Sequence, residues 1–200
     1  MPPDQPLSDR LLTDHAERLV LAGGALAVGV VAISEFRLPA SLLCCTLGWT
    51  MLAIAAVDCR RFIIPDRLSL PAVPAGLAAA MLVPHDRMAH EAVVENLIAA
   101  AAASLALWLL RAVYLRFRGR EGLGLGDVKL IAVAGAWTGM SGVLSVLLMA
   151  ATSALVVTGG RALAGDRSIG AATAVPFGAF LAPCIWLVWL AQQLGLLPLE

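Results

Sequence analysis

The chain of 200 residues is 60% hydrophobic and only 14% charged, with a mean hydropathy of +0.86, whereas soluble domains carry about 25% charged and 45–50% apolar residues. Its 14 basic and 14 acidic residues cancel, which leaves no electrostatic footprint for nucleic acid, and so apolar a chain is neither disordered nor collagen-like. What remains is an all-α polytopic membrane protein, in which the placement of the few charges carries the information.

Residues 1–18 contain Asp4, Asp9, Asp14 and Glu17 ahead of the first apolar run and lack the basic start of a signal peptide. They read as a short cytoplasmic tail before a single integral membrane domain over 19–200. A spanning helix needs about 20 predominantly apolar residues, and candidate stretches run roughly 19–34, 40–57, 68–84, 92–115, 128–139, 142–163 and 171–195. The fifth is too short to cross alone. Thr138-Gly139-Met140-Ser141-Gly142 is either its tight outer turn or a break within one longer helix, so the expected bundle has six or seven spanning helices.

With the N-terminus inside, every Lys and Arg except Arg37 and Arg87 falls on the cytoplasmic side, as the positive-inside rule requires. The loops around 58–67 and 116–127 then share that face. Pro71, Pro74, Pro176 and Pro183 can kink their helices where neighbours re-satisfy the backbone. Gly23-Gly24, Gly159-Gly160 and the alanine run 99–103 suit close helix packing. Cys44, Cys45, Cys59 and Cys184 form no CxxC pair and the three His are scattered, so neither a metal nor another cofactor is expected.

Acidic side chains at membrane depth are costly and mark function by default. Asp58 directly follows Met51-Leu52-Ala53-Ile54-Ala55-Ala56-Val57, and Asp127 directly precedes Val128-Lys129-Leu130-Ile131-Ala132-Val133-Ala134. Both lie at the cytoplasmic boundary of the expected topology. Asp58, beside Arg60 and Arg61, also fits an ordinary interfacial cluster. Asp127 also fits a helix cap or first-turn residue. Its company argues for more: in Gly122-Leu123-Gly124-Leu125-Gly126-Asp127, three glycines spare the backbone any Cβ bulk and allow close approach. The spacing fails the phosphate-loop pattern. Two carboxylates at one depth suit aspartic-protease chemistry, in which one activates a water and the protonated partner polarises the scissile carbonyl.

The motifs Asp58-Cys59-Arg60-Arg61-Phe62-Ile63-Ile64-Pro65-Asp66, Gly124-Leu125-Gly126-Asp127-Val128-Lys129-Leu130 and Val175-Pro176-Phe177-Gly178-Ala179-Phe180 together resemble, in order, those of the type IV prepilin peptidases, membrane aspartic proteases of the GxGD type. The resemblance implies an endopeptidase of the bacterial inner membrane that removes the short basic leader of type IV prepilins or pseudopilins, after a glycine, at the cytoplasmic face. It assigns Asp58 and Asp127 as the catalytic pair, with Gly124 and Gly126 letting the second aspartate approach its partner. Pro65 and Asp66 form the turn, Asp66 as a turn or N-cap residue. Lys129 can bind a carboxylate or snorkel to headgroups, the latter preferred. Family members with a CxxC-bearing cytoplasmic domain also methylate the new pilin terminus. Only Ser34-Glu35-Phe36-Arg37-Leu38-Pro39 joins the first two segments here, so the chain reads as a short form without methyltransferase activity. The alternatives are a proton- or ion-coupled transport component using the same aspartates and an inactive peptidase-like scaffold. Transport fits poorly, because both aspartates sit at one face and the bilayer-centre stretches are nearly all Ala, Leu, Val and Gly.

Overall fold

The computed structural model describes residues 7–83, 88–119, 122–164 and 175–197, with side chains from residue 17 onward. Arg87, Arg120, Arg167 and the start of the expected tail therefore lie outside the described residues, as does the Arg10 side chain. Every described element is helical: α1 (Leu7–Glu35), α2 (Ala40–Arg61), α3 (Asp66–Leu82), α4 (Ala89–Arg118), α5 (Leu125–Leu163) and α6 (Phe177–Gln193). Four helical stretches, Glu17–Glu35, Ala40–Arg61, Ala89–Arg118 and Leu125–Leu163, are long and apolar enough to cross a membrane, and Phe177–Gln193 is a shorter apolar helix. The chain is a multi-pass membrane protein.

The expected fifth and sixth segments are the two arms of α5. A straight helix of 39 residues would measure about 58 Å at 1.5 Å per residue, nearly twice the hydrocarbon thickness of about 30 Å. The backbone instead leaves helical geometry at Gly139 (φ 66°, ψ −172°), a region open to glycine. The chain reverses there. A methyl group on Gly142 would fall 2.3 Å from Thr138 Cβ and 3.1 Å from Gln192 Nε2, and farther along Ser153 meets Cys184. The second arm thus runs back antiparallel to α6. The reversal strands carbonyls that cost several kcal/mol each if left unpaired in lipid. Asn96 Nδ2 donates to Ala136 O (3.0 Å) and Gln192 Nε2 to Thr138 O (2.9 Å). Among the described residues the helix count is six by hydrogen bonding, and seven segments by direction.

The first arm of α5 is the axis of the bundle. Residues 133–139 are buried without interruption, as expected for a helix apolar all round. It packs against α3, α4 and α6, and Trp137 Nε1 donates to Ala72 O of α3 at 2.8 Å. α2 lies against α6, and among the described helices α1 packs on α2; Trp49 Nε1 reaches Ala25 O (3.2 Å) and Arg60 pairs with Glu17.

The small-residue expectation holds for one of its three elements. Ala99, Ala100 and Ala103 are buried and receive Gly135 of α5. Methyl groups on Gly23, Gly159 and Gly160 would meet nothing within 4 Å, and one on Gly24 only the Leu52 side chain at 3.4 Å. Among the described residues Gly23, Gly159 and Gly160 thus face open space, and Gly24 meets α2 only at an ordinary van der Waals distance.

Candidate active site

Asp58 reaches the interior because of helical spacing. Cys44, Leu47, Met51, Ile54 and Asp58 recur at intervals of three and four along α2, and all are buried, which places the carboxylate on the inward stripe. It is 4% exposed. The helix ends just beyond it at Phe62, in left-handed geometry (φ 54°, ψ 35°), whose amide returns to the Asp58 carbonyl at 2.9 Å. The chain then runs extended to Pro65. The Pro65 carbonyl accepts from Leu68 N (3.1 Å), Ser69 N (3.1 Å) and Ser69 Oγ (3.2 Å) and opens α3.

The N-cap of α3 is Pro65, not Asp66. Asp66 is the first helical residue, and its carboxylate turns away to accept from Lys129 Nζ at 2.6 Å. The preferred reading of Lys129 as a snorkelling residue gives way to this ion pair. With the two side chains 56% and 38% exposed, the pair contributes only about 0–1 kcal/mol. Its effect is positional, since it ties the start of α3 to the start of α5.

Asp127 stands in the first turn of α5, with Gly124 as the N-cap. Its Oδ2 accepts from Gly124 N at 3.3 Å, the return half of a capping box. Capping uses one oxygen of the carboxylate, Oδ2. The side chain is 9% exposed. The glycine ribbon admits the chain's own residues: a methyl on Gly126 would lie 2.9 Å from Ile64 Cβ, and one on Gly124 would lie 3.3 Å from the Asp127 carboxylate itself.

The two carboxylates line one open pocket of about 400 Å³, close enough for the Asp58 charge to act on Asp127. Phe62, Ile63, Leu125 and Phe177 supply apolar walls, and Asp66 and Lys129 also border it. The structure thus brings together all the residues singled out in the first two motifs except Pro65, which stands one position outside the lining. Among the described residues no group of three or more His, Cys, Asp or Glu could hold a metal ion.

Three neighbours were not individually legible: Ile64, Gly178 and Ala179. Asp58 Oδ2 accepts from Ala179 N at 2.8 Å, and the Gly178 amide also turns on it. The N-cap of α6 is Pro176, which offers no side-chain acceptor. Asp58 therefore caps α6 from another helix, where unpaired amides and the helix dipole favour negative charge. The available signal was a proline ahead of a helix with no capping side chain of its own. Gly178 is the point of contact, since a methyl there would lie 2.9 Å from Asp58 Oδ2 and 2.7 Å from Ile64 Cδ1. Gly178→Ala should displace the Asp58 carboxylate from the start of α6 and cost about 1 kcal/mol or more of stability, measured as a lowered unfolding midpoint in detergent.

The profile of the type IV leader peptidase family matches residues 45–159. Relatives include the prepilin leader peptidase/N-methyltransferases of Xanthomonas campestris pv. campestris, 33% identical over 72% of this chain and 47% of the relative, and of Burkholderia pseudomallei, 35% identical over 81% and 50%. That of Dichelobacter nodosus is 31% identical over 84% of this chain and 56% of its own length. The chain spans about half the length of these relatives. No solved structure is significantly similar to it.

Proposed function

This chain belongs to the type IV leader peptidase family, and from that premise we propose that it is a membrane aspartic endopeptidase with Asp58 and Asp127 as its catalytic pair. The observation that carries this reading is the meeting of two buried carboxylates from different helices in one open pocket. One carboxylate takes a proton from water as the water oxygen bonds to the scissile carbonyl carbon. The other, protonated, donates to the carbonyl oxygen, giving a neutral gem-diol. On collapse the ionised carboxylate takes a hydroxyl proton as the C=O bond re-forms, the C–N bond breaks, and the proton on the other carboxyl passes to the leaving amine.

The substrate is a single-spanning prepilin or pseudopilin, cut after a glycine between its basic leader and its apolar mature helix. The site faces the cytoplasm of a bacterial inner membrane, because Arg60, Arg61, Arg116, Arg118 and Arg161 end their helices at the same side of the bundle as the two aspartates. The N-terminus faces the cytoplasm too, and residues 19–200 act as one membrane domain. The methyl-transfer half of the relatives' names is not carried to this chain. Incubating the chain in proteoliposomes with candidate prepilins should release the leader and leave a shortened pilin by mass. Intact substrate in every case overturns the proposal.

A further inference from the structure

Between the left-handed end of α2 and the start of α3, Phe62 and Ile63 are 55% and 61% exposed, while Ile64 is 8% exposed. Its side chain rests on the backbone of two other helices at once. A methyl group on Gly126 would lie 2.9 Å from Ile64 Cβ and 3.1 Å from Cδ1, and one on Gly178 would lie 2.7 Å from Cδ1. Gly126 immediately precedes Asp127. Gly178 immediately precedes Ala179, whose amide holds Asp58. Ile64 thus touches the backbone beside one carboxylate and the backbone that fixes the other, and it is anchored to α2 by the same turn that follows Asp58. A β-branched side chain has little χ1 freedom, so it presents a nearly constant width.

We infer that Ile64 is a positioning residue: a rigid spacer seated against Gly126 and Gly178 that sets the separation of Asp58 and Asp127. The inference rests on the peptidase reading for its consequence, because a misplacement of about 1 Å at a reacting centre can cost about 100-fold in rate. It rests on geometry alone for the separation itself. Glycine at 126 and 178 then has a steric role, since any larger residue occupies the seat of the spacer.

The test pairs kinetics with a distance measurement that needs no activity. Ile64→Ala should lower kcat by roughly 10–100-fold with a much smaller change in KM, because Ile64 borders the pocket but is 8% exposed and packs chiefly on Gly126 and Gly178. Ile64→Val keeps both γ carbons and loses only Cδ1, so its loss should be smaller and of the same kind. In parallel, Asp58→Cys/Asp127→Cys in a Cys59→Ser background is treated with bifunctional thiol reagents of graded length, with and without Ile64→Ala, and the 58–127 bridge is quantified by peptide mass. A changed length preference in the Ile64→Ala chain supports the spacer. An unchanged preference overturns it, as does unchanged kcat or a loss confined to KM. If Ile64→Ala does not fold, Ile64→Val decides by the same measures. If no prepilin is cleaved by the parent chain, the peptidase reading fails while the bridging profile still decides the spacer.

Discussion

Asp58→Asn and Asp127→Asn are each expected to lower leader cleavage by at least about a thousandfold while the protein accumulates in the membrane at the parent level. Asparagine isolates chemistry from architecture here. Its side-chain oxygen can still accept from Ala179 N in place of Asp58 Oδ2, or from Gly124 N in place of Asp127 Oδ2, so both helix caps survive. What is lost is the capacity to take up or release a proton. In the proposed mechanism the two carboxylates act as one unit, so the double variant should be no slower than the worse single one. Asp66→Asn is the comparator. It removes one partner of an exposed ion pair with Lys129, so cleavage should stay within a few-fold of the parent. Processing at the parent rate by either single variant at 58 or 127 would remove that residue from the pair.

The electrostatics of the pocket follow from helix direction. The C-terminus of α2 enters it, and the N-termini of α3, α5 and α6 converge on it at Asp66, Leu125 and Phe177. Helix N-termini present unpaired amides and about half a positive charge each. Three of them around two carboxylates offset part of the cost of holding charge at buried positions. Two of the three are capped by the aspartates themselves, Asp127 on its own helix and Asp58 across to α6. Capping therefore orients each carboxylate as well as stabilising a helix.

The inward facing of Asp58 was legible from spacing, since Cys44, Leu47, Met51 and Ile54 mark the buried stripe on which it falls. The family and the helical class were legible from motif order and composition. The meeting of the carboxylates was not, because it depends on α2 and the first arm of α5 both packing against α6, which is set by contacts between distant segments. Lys129 shows the same limit: its partner Asp66 lies far away in sequence, and side-chain length alone does not separate an ion pair from snorkelling. The glycine pairs Gly23-Gly24 and Gly159-Gly160 invited a packing role that Gly48, Gly76 and Gly135 perform instead, because a small residue matters only where another helix comes close.

Gly135→Ala is expected to be the most damaging single-methyl change in the bundle, costing about 3 kcal/mol or more. The added Cβ would lie 2.4 Å from Ala100 N, 2.5 Å from Ala100 Cα and 2.7 Å from the carbonyl carbon of Ala99. All three are backbone atoms of α4, so no rotamer change relieves the overlap and the helices themselves must move apart. That separation would open the α4–α5 contact around Ala99, Ala100 and Ala103 and disturb the nearby bond from Asn96 to Ala136 O. A stability of about 5–15 kcal/mol leaves room for the alanine variant to fold in detergent with a clearly lowered unfolding midpoint, whereas Gly135→Leu should not be recovered folded. Gly159→Ala and Gly160→Ala are the matched controls. Their methyl groups meet open space, and replacing a helical glycine should raise stability by roughly 0.5–1 kcal/mol each. Equal midpoints for the Gly135 and Gly160 variants would mean that α4 and α5 do not meet backbone to backbone at this level. The contact would then not be what holds the first arm of α5, and Asp127 at its end, in register with the rest of the bundle.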